Sequence, residues 1–217
     1  MNATTSNDLK LKIPFGCIIG GPSSSGKTQL CLKLLEHSSE IFEPPPKSIL
    51  YAYGQFSQVV PYLESIGVQT CQGPPSDEQI SKLEKPALLV LDDLMYDVNE
   101  RWLANIYTKR SHHENFGVKM LVQNLFDKKV KVPRLNAMYL FALRAPNSLL
   151  SMRNIGNQLF PHQLSYFMDA YKKATSDGNY GYLLIDMHPA SPSLLRLRTH
   201  IFPGEMTELF VPKEGSS

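Results

Sequence analysis

Three observations predict an α/β fold built on a mostly parallel central sheet flanked by helices. Apolar runs alternate with helical patterns from Ile13 to about Phe141, as strands joined by crossover helices do. One run, Ala87 to Leu91, is apolar throughout between a proline and a pair of acids, as in a strand buried on both faces. A glycine- and serine-rich turn, Gly21 to Gly26, separates the first apolar run from the first helical one.

Ile13 to Ile19 reads as the first strand, and Thr28 to Leu35 places Leu30, Leu34 and Leu35 at helical spacing. Pro44-Pro45-Pro46 breaks the chain before Ser48 to Tyr53, a second strand ending at Gly54. A short helix is predicted over Val59 to Ser65. Gln72 to Asp77 reads as a loop in which Ser76 or Asp77 caps a helix running to about Leu83. Ala87 to Leu91 is the central strand, and Asn99 to Tyr107 a helix ahead of the strand Val118 to Val122. Met138 to Leu143 is a further strand. Beyond Pro146 the pattern gives helices over Ser148 to Gln158 and Gln163 to Ala174, then a turn at Asp177-Gly178-Asn179. Tyr182 to Ile185 and Leu194 to Ile201 are expected to form a C-terminal β-hairpin on the sheet edge, with a long connection containing Pro189 and Pro192.

With 42% hydrophobic residues in 217, the chain can bury the core of one domain, placed at residues 11–212 between flexible ends at 1–10 and 213–217. The net charge of +2 excludes a global basic field, so any nucleic-acid contact needs a local patch. Cys17, Cys31 and Cys71 are odd in number and widely spaced, which fits reduced thiols in an intracellular protein and no zinc site. No segment resembles a signal peptide or approaches the length of a membrane span, so a soluble protein without membrane contact is expected.

Gly21-Pro22-Ser23-Ser24-Ser25-Gly26-Lys27-Thr28 has the spacing Gly-x-x-x-x-Gly-Lys-Thr between a predicted strand and a predicted helix. That context identifies a phosphate-binding loop, and with the parallel sheet it predicts the P-loop NTPase fold. The glycines permit a sharp backbone path that turns amide N–H groups inward, and the helix N-terminus adds its positive end. The nucleotide-binding set is Gly21, Pro22, Ser23, Ser24, Ser25, Gly26, Lys27, Thr28 and Gln29. Lys27 is expected against the terminal phosphates of ATP, and the Thr28 hydroxyl on Mg2+.

Downstream, Leu88-Leu89-Val90-Leu91-Asp92-Asp93 is a strand ending in carboxylates at the same edge of a parallel sheet. Asp92 is expected to hold Mg2+, and Asp93 to orient or deprotonate the attacking water. Gln123, just after the strand Val118 to Val122, is a candidate sensor of the γ-phosphate. Arg134, Arg144 and Arg153 follow that strand, with Arg134 and Arg144 the preferred candidates for an arginine finger given to a neighbouring subunit. Lys128 to Arg134, read as a loop, and Lys109 to His113 are the best basic clusters for phosphate contacts. Arg196 and Arg198 are expected on one face of the last strand.

Lys27-Thr28, Tyr51-Ala52-Tyr53-Gly54, Leu91-Asp92-Asp93-Leu94-Met95, Ser111-His112-His113, Val122-Gln123-Asn124-Leu125-Phe126 and Gly181-Tyr182-Leu183-Leu184-Ile185-Asp186 together resemble the DNA-packaging ATPases of Polinton (Maverick) elements and related viruses. These belong to the FtsK–HerA superfamily with the poxvirus packaging ATPase. The resemblance runs from about Ile13 to Phe202. It implies ATP-driven, sequence-independent translocation of double-stranded DNA by a homo-oligomeric ring, with a capsid or portal protein as a further partner. It places Asp93 at the catalytic acidic position and Gln123 at the sensor position. The chain departs from the family pattern in two places. Arg144-Ala145-Pro146-Asn147-Ser148 stands where relatives have a basic-Asn-Pro-Arg-Asp segment, and Asp93 stands where most have glutamate.

Two other classes share a glycine loop and a parallel sheet at this length: a nucleoside or nucleotide kinase, and an ATP-dependent assembly protein with weak hydrolysis. The arginine-rich lid segment expected of such a kinase is not evident in the sequence.

Overall fold

The computed structural model describes residues 9–176, 178 and 180–212. Residues 1–8 and 213–217 of the expected flexible ends, and residues Asp177 and Asn179 of the expected turn, lie outside the described residues; Leu9 and Lys10, placed in the flexible N-terminus, are described, and the Leu9 carbonyl accepts from Arg198. Six strands are mutually parallel: β2 (Phe15–Gly20), β4 (Ser48–Tyr53), β5 (Gln69–Gln72), β6 (Ala87–Asp92), β7 (Phe116–Val122) and β8 (Tyr139–Leu143). Two short strands, β1 (Leu11–Lys12) and β3 (Phe42–Glu43), pair with each other outside the main sheet. Three antiparallel strands, β9 (Tyr182–Asp186), β10 (Leu197–Thr199) and β11 (Glu208–Leu209), extend it beyond β8. The resulting order of the nine-stranded sheet is β11-β10-β9-β8-β2-β7-β6-β4-β5. The architecture is therefore an α/β sheet, mostly parallel, with the expected C-terminal hairpin formed by β9 and β10.

Strand alternation sorts the apolar side chains onto two faces. Leu88 and Val90 of β6 join Leu30 and Leu34 of α1 (Lys27–Glu36), Ile41 of α2 (Ser38–Ile41) and Leu63 of α3 (Val59–Ser65). Leu89 and Leu91 join the opposite core. There they meet Ile80 of α4 (Asp77–Ser81), Leu103 of α5 (Glu100–Asn105), Ile155 of α8 (Leu149–Leu159) and Phe167 of α9 (Leu164–Ser176). Two further helices, α6 (Ser111–His113) and α7 (Lys131–Asn136), flank β7. Ser76 caps α4 through a capping box with Gln79, as the sequence suggested for this loop.

Several boundaries differ from the sequence expectation. The first strand begins at Phe15 and not Ile13, because Pro14 has no N–H to give the ladder; Ile13 instead donates to the Glu43 carbonyl at 2.8 Å. The helix from Asn99 does not stop at Tyr107 but continues through a π-helical turn, Ile106–Arg110, into α6. Lys128 to Arg134, expected as a loop, is a 3-10 turn followed by α7. Pro133 fits the first turn of α7, where its missing N–H has no intrahelical partner to lose.

Arg196 and Arg198 do not share an exposed face. Arg196 precedes β10 and is exposed, whereas Arg198 is wholly buried and forms a 3.0 Å ion pair with buried Asp186 of β9. Arg198 also donates to the Leu195 and Leu9 carbonyls. Lys119 of β7 is buried as well, its ammonium 4.3 Å from the centre of the Phe42 ring and without a hydrogen-bond partner among the described residues. Burial lowers its pKa and pushes the neighbouring Cys17 and Cys31 thiols up to about 12.

Candidate active site

The carboxyl ends of the parallel strands form one rim, and the glycine loop leaves β2 there. Gly21 N–H donates to the Val122 carbonyl at 3.1 Å, tying the loop's start to the end of β7. Ser24 and Gly26 take left-handed backbone conformations (φ 61° and 95°), turning the chain into α1. The Tyr180 ring packs against Gly26, where a Cβ would lie 2.2 Å from its Cδ1. Lys27 opens α1 and folds back over the loop, its ammonium donating to the Gly21 and Pro22 carbonyls at 2.8 Å each. Burial lowers the Lys27 pKa, opposed by the negative charges of Asp92 and Asp93. Ser25 Oγ is buried and has no hydrogen-bond partner among the described residues. An orphaned hydroxyl inside a loop at a helix N-terminus fits an anion's oxygen.

Asp92 is the last residue of β6 and faces this loop. Burial raises its pKa; the Tyr51 hydroxyl, which donates to its carboxylate, pulls it back. Asp93 raises it further by repulsion, while Lys27 and the nearby Thr28 hydroxyl favour the charged form. Asp93 is exposed and left-handed at φ 54°, and its carbonyl lies so close to Gly54 that a Cβ there would approach to 2.3 Å. The Gly54 N–H donates to the Asp92 carbonyl at 2.9 Å, so the end of β4 braces the acidic pair.

Gln123 follows β7 directly and is exposed at the same rim. It borders a narrow cleft with Gly20, Gly21, Ser148 and Ser151, which brings the segment that departs from the family pattern next to the loop. Arg144 follows β8, whose Ala142 pairs with Gly20. The Tyr171 hydroxyl donates to the Leu143 carbonyl and accepts from the Ala145 N–H, both at 2.9 Å, clamping the backbone on either side of Arg144. Lys27, Thr28, Asp92, Asp93, Gln123 and Arg144 are thus gathered at one rim.

Arg134 lies elsewhere in the chain's own surface: its guanidinium is 4.2 Å from the Phe126 ring centre and 3.4 Å from Gln158 Oε1, beside a cleft lined by Ile18, Ala137 and Leu140. In the Lys109 to His113 cluster, Arg110 is occupied by Asp77 and Glu114, each at 2.5 Å, while Lys109, His112 and His113 are exposed. Lys129 donates to the Met95 and Val98 carbonyls, leaving Lys128 and Lys131 exposed.

Three tyrosines were missed as contributors: Tyr51, Tyr171 and Tyr180. Each reaches the rim through a contact distant in sequence, and only Tyr51 lay within a segment that the resemblance had flagged. Chemically, an ammonium and an unpartnered hydroxyl at a helix N-terminus, near two carboxylates, suit a polyanion bound together with a cation.

No family model matches the chain, and no curated protein matches it either. The fold resembles that of the genome-packaging NTPase B204 from Sulfolobus turreted icosahedral virus 2. In complex with sulfate that structure gives a TM-score of 0.54 at 12% identity, covering 92% of this chain and 96% of that one. The complexes with AMP and with ATP-gammaS give 0.52 at 13% and 0.51 at 12%, each covering 92% of this chain and 98% of the other. At these identities the likeness is one of fold: this chain has a P-loop NTPase fold.

Proposed function

We propose that the chain is a P-loop ATPase that moves double-stranded DNA through a homo-oligomeric ring, as a genome-packaging motor of a virus or a Polinton-type element. The observation that carries this reading is the meeting of Lys27, Thr28 and Asp92 at one rim, with Asp93 and Gln123 beside them. The fold likeness to a packaging NTPase studied with nucleotides supports it.

On this reading the loop amides and the Ser25 hydroxyl hold the phosphates, and Lys27 leaves its loop carbonyls for the β- and γ-phosphate oxygens. Thr28 and Asp92 are the residues that would hold Mg2+, which when bound would supply positive charge against the charge that develops on the transferred phosphoryl group. Asp93 accepts a proton from the attacking water, and Gln123 orients that water. Arg144, fixed by Tyr171, is the better-placed finger candidate in its own chain, whereas Arg134 serves only across a subunit boundary.

The test is ATP hydrolysis with and without double-stranded DNA across a salt series, beside Lys27→Ala and Asp93→Asn. A donor lost at a site of developing charge costs about 10²–10³ in kcat, and a general base lost about 10²–10⁴, so Lys27→Ala and Asp93→Asn should each fall by at least about a hundredfold. DNA should stimulate the wild type. Transfer of the γ-phosphate to a nucleoside or nucleotide would establish the kinase instead. Rings that form with ATP yet never turn over, even with DNA, would select the assembly protein.

A further inference from the structure

A further cleft, of about 500 Å3, runs along α1 on the side facing the antiparallel extension of the sheet. Gln29, Lys33 and Glu36 line one wall at the spacing that puts residues on one helical face. Tyr182 and Phe202, both buried, form its apolar floor. At the loop end stands Tyr180, whose ring lies against Gly26. Tyr180 is 55% exposed, so its ring is not a core group; it stands partly open to solvent beside the phosphate loop.

The position of this cleft has a chemical direction. If Lys27 and Thr28 attend the terminal phosphates and the cation, the backbone amides of the loop are left for the phosphates nearer the nucleoside, and the nucleoside needs a surface beside the loop. The cleft begins at Gln29. Its size is that of a small-molecule site, and an aromatic wall over an apolar floor suits a flat heterocycle. Farther along, Lys33 is held by Glu205 and lies 4.2 Å from the Phe202 ring centre, bordering the cleft partway along α1.

Resting on the nucleotide-binding reading above, we infer that this cleft receives the nucleobase of the bound triphosphate, stacked on Tyr180. Calorimetric titration of wild type, Tyr180→Ala, Tyr180→Phe and Lys27→Ala with magnesium ATP and with magnesium tripolyphosphate, which has phosphates but no base, tests it. Tyr180→Ala should weaken ATP binding about tenfold, the scale of one lost stack, and leave tripolyphosphate unchanged. Tyr180→Phe should bind both as wild type does. Lys27→Ala should lose both ligands. If Tyr180→Ala binds ATP as tightly as wild type, or weakens both ligands equally, the base lies elsewhere. Wild type that binds neither ligand overturns the nucleotide reading itself, and this inference with it.

Discussion

The Tyr51 hydroxyl on β4 donates its hydrogen bond to the Asp92 carboxylate at the end of β6, two groups whose sequence separation hides the pairing. The bond favours the charged carboxylate against the burial that raises its pKa. Because a cation needs the charged form, metal-dependent nucleotide binding should fade as pH drops through the Asp92 pKa. Tyr51→Phe removes the favouring donor, so the loss should begin at a higher pH. At neutral pH affinity should drop roughly tenfold, the worth of a hydrogen bond to a charged group. Magnesium-dependent ATP binding followed from about pH 5 to about pH 8 checks this; an unmoved midpoint would show that Tyr51 does not tune the site.

Lys119 carries the opposite sign. Its pKa is lowered by burial, so over the interval between its native and ordinary values the unfolded chain binds more protons than the folded one. Stability from this residue therefore rises as pH increases through that interval, and at lower pH the buried ammonium costs stability. Lys119→Met keeps an unbranched apolar stem beside Phe42 and removes the charge. It should raise the melting temperature, with a gain of order 1–3 kcal/mol near neutral pH that shrinks toward alkaline pH. Thermal denaturation at two pH values measures it, and a lower melting temperature at neutral pH would mean the ammonium is stabilising where it stands.

The fold was legible where one residue pattern had one explanation. Ala87 to Leu91 had proline before it and acids after it, and β6 occupies that run with one residue added. Val59 to Ser65 was read to the residue. Elements whose reason lies in distant partners were not legible. The half-exposed strand β5 has too few apolar residues to signal itself, and its edge position follows from pairing with β4. Arg198 sits in an alternating pattern that suggests solvent, but Asp186 on the neighbouring strand draws it inward. Within the candidate site, the loop and the two aspartates could be named because their spacing is local. The tyrosines that brace Asp92, Arg144 and Gly26 come from other elements, and no periodicity announces them.

The Asp186–Arg198 pair should be a stability element apart from nucleotide chemistry. Both side chains are fully buried, and Arg198 additionally satisfies two backbone carbonyls. Arg198→Met strands a buried carboxylate, at a cost of roughly 3–5 kcal/mol. Replacing both partners by apolar residues should recover part of that loss. Urea denaturation gives the two numbers, and ATP affinity at a temperature where the variant is folded should match wild type. A single variant as stable as wild type would show that water reaches Asp186.

On the motor reading, the salt dependence of DNA binding separates basic residues that are free from those that are occupied. Lys128 and Lys131 are exposed, whereas Lys129 is held by two carbonyls and Arg110 by Asp77 and Glu114. A phosphate contact made by a free lysine releases counterions, changing the slope of log K against log salt by about 0.9 per contact on duplex DNA. Lys128→Ala with Lys131→Ala should therefore flatten that slope by roughly 1.8, for duplexes of any sequence. Arg110→Ala should leave the slope as it is while lowering the melting temperature, since its partners are inside the chain. Fluorescence anisotropy with two unrelated duplexes across a salt series reads both effects. If the slope responds to Arg110 and not to the two lysines, the DNA passes over α6 and the π-helical turn before it, and Arg110 exchanges its carboxylates for phosphate.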